Sequence, residues 1–303
     1  MAEGLRRTVG VLRRVARNRG ALFGLVFLAI LIFMSSVARW ILPFGPLTQD
    51  FASTLQGPNS VHWFGTDELG RDILARVVFG ARTSLITAAG AVSIAAFVGV
   101  PIGLVAGFFG GWRDTLLMRF VDVLLSLPGI LLAMALIAVL GRSQMAALVA
   151  VGITGIPSFA RITRAQVLSL RKRDFVTAVE ALGGSSGYNM FRTVLPNSWG
   201  PILVQVVILS AVAILIEASL AFLGVGIPPP TPSWGEMLRT GKSFMYDAPT
   251  YAVLPGIVLT LTILSLDVLG RTLASAMEER HEVVDSNSDV GPGTGAKAVE
   301  GTA

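Results

Sequence analysis

Long uncharged runs separated by short polar stretches dominate the chain. About 20 apolar residues of helix cross a bilayer, and runs of that order cover 20–42, 83–110, 121–141, 144–162, 199–224 and 248–270. None shows the two-residue alternation of a membrane β-strand. The pattern predicts an all-α polytopic membrane protein with six transmembrane helices, its membrane domain spanning 20–275. Between the spans lie two outer loops, 45–82 and 226–247, and one long inner loop, 163–198. In the second outer loop Pro228, Pro229, Pro230 and Pro232 favour an extended, stiff turn. Residues 1–19 form a basic arm, and the tail 276–303 lacks apolar periodicity towards its end and is expected to be largely disordered.

Composition agrees with the pattern. The chain is 53% hydrophobic and 14% charged, too little charge to cover a soluble domain, which carries roughly 25%. A net charge of +5 would fit a nucleic-acid surface, but in a membrane protein basic residues mark the cytoplasmic loops. Most of the 24 lysines and arginines fall on the side that holds the N-terminus, among them Arg6, Arg7, Arg13, Arg14, Arg161, Arg164, Arg171, Lys172 and Arg173. Both termini are therefore expected in the cytoplasm and the chain in the plasma (inner) membrane. The first span has the basic flank of a secretory signal, but it is longer than a usual signal core and further spans follow, so it is expected to stay. The absence of cysteine excludes disulfides and thiolate metal sites. The two histidines, His62 and His281, stand far apart in sequence, so no metal site is expected.

Two motif matches fail in context. Gly183-x-Ser185-x-Gly187 fits a hydrolase nucleophile elbow, but helical spacing precedes it where a strand is required, and the later His281 lies in the tail. "GEMLRTGKS" resembles a phosphate loop, but five residues separate Gly235 from Gly241 where that loop needs four. No catalytic residue is expected, and energy must come from elsewhere.

Other residues point to architecture and transport. Gly99, Gly103 and Gly107, four apart in the second span, predict a helix face that lets another helix come close. Glu217 interrupts the fifth span. It reads either as a lining or gating residue of a translocation path or as a partner in an interhelical hydrogen bond. In the inner loop, helical spacing over 175–182 ends at Gly183-Gly184, a C-terminal stop. Ser185 or Ser186 can cap a second short helix, on which Tyr188, Phe191 and Leu195 share one apolar face. Pro196 is expected to close it. A helix of this kind must cover its apolar face, and a partner protein or the membrane surface are the candidates.

"TAVEALG" followed by "TVLP" resembles the EAA loop of ABC importer permeases, whose pattern is E-A-A-x-x-x-G and, further on, I-x-L-P. Ala178, Gly183, Leu195 and Pro196 fall on matching positions, while Thr177, Val179 and Thr193 depart from it. "FGTDELGRDILARVVFGARTSL", "GGWRDTLLMRFVDVLLSLPGILLAMAL" and "EASLAFLGVGIPPPTPSWGEML" resemble the C-type subunit of dipeptide, oligopeptide and nickel importers. The resemblance covers roughly 10–275 and weakens after Asp267, where Arg271 and Ala274 replace an acidic and a basic residue of the pattern.

The resemblance implies a type I ABC importer permease fold and half of a translocation path for peptides, with nickel, haem or glutathione as alternatives. It implies a homologous permease subunit as heterodimer partner and two ATPase domains, fused or separate, that bind ATP and magnesium. It also implies an extracytoplasmic solute-binding protein, no cofactor on this chain, and no nucleic acid. Gly183 would be the hinge of the ATPase-docking loop. Ser185, Ser186, Tyr188, Phe191, Arg192, Leu195 and Pro196 would belong to its coupling segment or close it. Asp67, Arg71, Asp72 and Trp234, in the outer loops, are the candidates for docking the binding protein. An ion-coupled secondary transporter is the rival class. It would need internal repeats and several midplane acids, and Glu217 is the single candidate.

Overall fold

The computed structural model describes residues 17–288, with side chains described to Met277. Among the described residues the fold is helical, and an isolated bridge between Thr66 and Asp72 is the only β pairing. Five helices are long and apolar enough to cross a membrane, or six if a bent pair counts as one span.

Helix α1, Arg19–Ile41, starts at Asn18, whose side chain accepts from the amides of Gly20 and Ala21. The Asn18 amide also donates to Thr272 Oγ1, 3.2 Å away, which ties the start of α1 to the last helix. Helix α2, Ile73–Phe109, is capped by Asp72 and begins ten residues before the expected span at 83. Its first turns carry Arg76 and Arg82, charges that suggested a loop. Arg76 is instead buried and ion-paired.

The third span is not one helix. Helix α3, Gly111–Leu125, and helix α4, Gly129–Leu140, meet at an 86° bend. Pro128 lacks an N–H and disfavours helical backbone at the residue before it, so the ladder breaks there. Helix α5, Gln144–Leu170, is capped by Ser143 and runs past the expected end at 162, so that Arg161 and Arg164 ride on the helix.

The inner loop holds helix α6, Asp174–Ala181, and the short α7, Ser186–Tyr188. A π-helical turn, Asn189–Val194, then leads without a break into α8, Leu195–Phe222. Pro196 therefore does not end the coupling segment. It sits at the start of α8, where the Leu195 amide already bonds five residues back to Met190, and a missing N–H is tolerated best in a first turn. The second outer loop folds a short helix, α9, Trp234–Gly241. Helix α10, Thr250–Ser288, continues well beyond the expected end at 270. Its extension takes in 276–288, expected to be disordered. No glycine or proline follows Gly270 until Gly291, so nothing stops the helix there. The basic arm before Arg17 and the disordered tail expected beyond Ser288 lie outside the described residues.

The centre of the bundle is the pair α2 and α5. A Cβ on Gly99 would come within 2.6 Å of the Ile156 carbonyl, and one on Gly107 within 2.9 Å of the Arg164 carbonyl. One on Gly103 would run into the Ala160 carbonyl. Helix α5 answers with its own small residues: a Cβ on Gly152 would lie 3.0 Å from the Ala91 carbonyl. Around this pair a continuous core gathers Phe159, Ile137, Ile202, Ile214, Trp234 and Tyr251.

Candidate functional site

The inner loop is built from a hydrogen-bonded turn and a seated helix. Helix α6 ends with the Gly183 amide donating to the Glu180 carbonyl and the Gly184 amide to the Val179 carbonyl. This double closure needs left-handed backbone at Gly183, whose φ is +81°. Ser185 then accepts from the Tyr188 amide and starts α7.

Two faces result. Val176, Met190 and Val194 pack with Leu104, Phe108 and Val167, seating the loop on the inner ends of α2 and α5. On the other side Leu182 is 89% exposed, and Tyr188 and Phe191 57% each. Ala178, Ser185, Ser186, Arg192 and Pro196 are exposed as well. Leu195 is not. It is half-buried and packs against the core, which corrects its expected place beside Tyr188 and Phe191. The cause is the π turn: it holds one more residue than an α turn, and one residue is worth roughly 100° of rotation.

Gly183 is open on all sides, with nothing within 4 Å of a built Cβ. A side chain there meets only backbone strain, about 1–2 kcal/mol for a branched residue. Gly183→Asn, which tolerates this conformation, should leave the loop intact. Gly183→Val should loosen it, and amide exchange over 174–188 would show the difference. Equal protection in the two variants would contradict this view of the turn.

The outer loops form a cap in which Asp67, Arg71, Asp72, Arg76 and Glu236 are buried. Asp67 accepts from the amides of Leu69 and Arg71 and from Arg71 Nε at 2.6 Å, with Arg76 Nε 3.3 Å away. Arg71 Nη2 also donates to Glu68, at 2.9 Å. Arg76 Nη2 reaches across to Glu236 on α9, at 3.1 Å. His62 pairs with Asp72 at 2.9 Å, and the Trp234 indole donates to the Val77 carbonyl at 3.0 Å. All four expected docking residues, Asp67, Arg71, Asp72 and Trp234, are thus buried. Charges buried in this way must be paired: Asp67, Arg71 and Asp72 find partners within the first outer loop, while the Arg76–Glu236 pair and the Trp234 indole hold α9 to α2. The cap exposes Phe51, Val61 and Trp63 instead. Beside them the Ser53 hydroxyl, then the Ala52 amide, hold the Asp50 carboxyl below its usual range.

Glu217 is buried where α8 meets α2. One carboxylate oxygen accepts from the Ser84 hydroxyl at 2.9 Å, and the other has no hydrogen-bond partner. On the inner side α3 and α5 enclose a cleft of about 510 Å³. There Arg164 makes a two-pronged bond to Asp114, 2.6 Å for each arm, and Arg161 pairs with Asp122 at 2.8 Å.

A model of the family described as binding-protein-dependent transport system inner membrane component matches residues 99–279. The chain belongs to this family. A second model, the N-terminal TM domain of oligopeptide transport permease C, matches residues 8–58. A dipeptide transport system permease protein of Alkalihalophilus pseudofirmus is 38% identical over 268 residues, 88% of each chain. A di/tripeptide transport system permease protein of Pseudomonas aeruginosa is 39% identical over 271 residues, 88% of this chain and 89% of the relative. A glutathione transport system permease protein of Escherichia coli is 40% identical over 269 residues, with the same coverage. Among solved structures, the MetNI methionine ABC transporter in inward-facing conformations aligns with a TM-score of 0.53 at 18% identity, over 66% of this chain and 97% of that one. An amino acid ABC transporter aligns with a TM-score of 0.53 at 16% identity, over 68% and 94%. These likenesses show the fold of an ABC importer permease.

The permease is a multi-pass membrane protein of a family that implies ATPase and binding-protein partners. The matched region 99–279 contains the whole inner loop, Glu217 and α9. Sequence reasoning missed Leu182 as an exposed apolar residue, Asn189 as a buried one, and the Arg76–Glu236 pair. A polar residue among apolar neighbours was the available signal for Asn189. Arg76 and Glu236, 160 residues apart, left none.

Proposed function

We propose that this permease forms half of the translocation path of an ATP-driven importer of short peptides, paired with a homologous permease subunit. Both its ends lie in the cytoplasm. ATP and magnesium are bound by partner ATPase domains, which the inner loop engages through Leu182, Tyr188 and Phe191, and the chain itself needs no cofactor. An extracytoplasmic binding protein delivers the peptide to the cap, where Phe51, Val61 and Trp63 replace the buried charges as the docking surface. One observation carries the substrate class: relatives at 38–40% identity over 88% of this chain are named for dipeptides, di/tripeptides and glutathione, and glutathione is itself a tripeptide.

The geometry supports the following mechanism. Closure of the ATPase pair displaces the exposed face of the inner loop. The seat formed by Val176, Met190 and Val194 carries that displacement to α2 and α5. Sites coupled in this way need a rigid connection between two arrangements, and the glycine-packed α2–α5 pair supplies the rigid part.

The test is reconstitution in vesicles with the partner permease, ATPases and binding protein. Peptide-loaded binding protein should raise ATP hydrolysis and drive uptake of a labelled dipeptide, with glutathione as the second arm. Absence of stimulation with either ligand would overturn the importer reading, and stimulation by glutathione alone would narrow the substrate. In the same system Leu182→Asp with Phe191→Asp should weaken ATPase association. Interface anchors contribute about 2 kcal/mol or more each, so each substitution should cost roughly thirtyfold and the pair, if additive, roughly a thousandfold. Unchanged association would remove this face from the assignment.

A further inference from the structure

Between α6 and the coupling segment the chain makes an exposed turn. Leu182 and Gly183 touch little, and a side chain built at Gly183 or Gly187 would meet nothing within 4 Å. Such a turn fixes the direction of the chain but does not brace one helix against the other. Apolar contact at Val176, Met190 and Val194 holds the two together, but hydrophobic contact is non-directional.

One side chain supplies direction. Asn189 is completely buried, although its neighbours Tyr188 and Phe191 are exposed. Its amide nitrogen reaches back 13 residues to donate to the Val176 carbonyl at 3.2 Å, with Glu180 Oε1 at 3.4 Å. Its amide oxygen is buried without a hydrogen-bond partner. Burying an amide with half its capacity unmet costs free energy, so this position is not the one that packing alone would choose. Asn189 also opens the π turn, and it is buried while Tyr188, the residue before it, stays outside.

We propose that Asn189 is a positioning residue for energy coupling: its hydrogen bond to the Val176 carbonyl braces α6 against the coupling segment, so that the loop moves as one body when the ATPases close. This rests on the assignment of the loop to ATPase docking. Without the brace the loop still presents Leu182, Tyr188 and Phe191, but its two helices yield at the glycine turn. Hydrolysis then proceeds while less of the movement reaches the membrane. The signature is a fall in peptide carried per ATP hydrolysed, which a loss of affinity for the ATPases would not produce.

The experiment uses the full reconstituted complex with a labelled dipeptide. Asn189→Leu keeps the approximate volume and removes the donor. It is expected to lower the ratio of uptake to stimulated hydrolysis at least fivefold. Glu180→Cys with Asn189→Cys provides the second variant, since the chain has no cysteine of its own. The reduced pair should be uncoupled, and a short thiol-to-thiol bridge should restore the ratio. A wild-type ratio in Asn189→Leu would overturn the proposal, and so would a bridged pair as uncoupled as the reduced one. If Asn189→Leu fails to assemble, the bridged and reduced states of the pair decide. Failure of the wild-type complex to respond to loaded binding protein would instead strike the importer reading.

Discussion

Gly103→Leu should leave little folded permease. A Cβ at this position already runs into the Ala160 carbonyl and comes within 2.8 Å of the Thr163 Cβ and 2.9 Å of the Arg164 nitrogen. Two of the three obstacles are backbone, so no rotamer change relieves them and α2 must move away from α5. Overpacking of a core costs about 1–3 kcal/mol when side chains can give way, and here the upper end of that range is the minimum. The close approach also extends over Gly99 and Gly107, so a shift at Gly103 opens contacts a turn away on either side. Without a hydrophobic drive between helices in lipid, such packing is what holds them together. Fluorescence-detected size-exclusion of the solubilised protein would show the outcome. Gly57→Ala, with nothing within 4 Å of its Cβ, serves as the control. A monodisperse Gly103→Leu protein of wild-type thermal stability would contradict this account of the bundle.

The second large effect concerns Arg76, which is buried between Asp67 and Glu236. Arg76→Met leaves Glu236 with the Thr240 hydroxyl and Asp67 with Arg71 as remaining side-chain partners. Breaking a buried pair by removing one member costs about 3–5 kcal/mol, because the remaining charge is stranded. The cap should therefore detach from α2 and become open to protease over 42–72. The sign of the double variant is the sharper test. Arg76→Met with Glu236→Met removes both charges, and replacement of a buried pair by apolar residues is often neutral. Much of the lost stability should return, which a double-mutant cycle on melting temperature would read. If the double variant is as unstable as the sum of the two singles, the pair is not the tie between α9 and α2.

What could be read from sequence depended on whether the signal was local. The four-residue recurrence of Gly99, Gly103 and Gly107 lies within one helix, and the spans follow from length and apolarity. Gly183 and Ser185 announce a helix end and a cap over a few positions. Arg76 resisted for the opposite reason: a charge in an outer loop looks like surface, and a partner brought in from another part of the chain, Glu236, turns it inward. Asp67, Arg71 and Asp72 have partners close in sequence, but their burial depends on how the loop folds over them. Pro128 was a local signal too weak against the long apolar run around it. Leu195 leaves the face predicted by α spacing because one π turn changes the face of every residue after it, without any trace in composition.

The uninterrupted run of helix from Ser186 to Phe222 has a mechanical consequence. Thirty-seven residues at 1.5 Å each give a rod of about 55 Å. Near one end are Tyr188 and Phe191, and near the other Ala218, whose backbone would meet a Cβ placed on Gly235 of α9. A tilt of about 5° about the midpoint of such a rod shifts its ends by roughly 2 Å in opposite directions. If the helix moves as one body through its π turn and Pro201, the inner loop and the outer cap are the two ends of one lever.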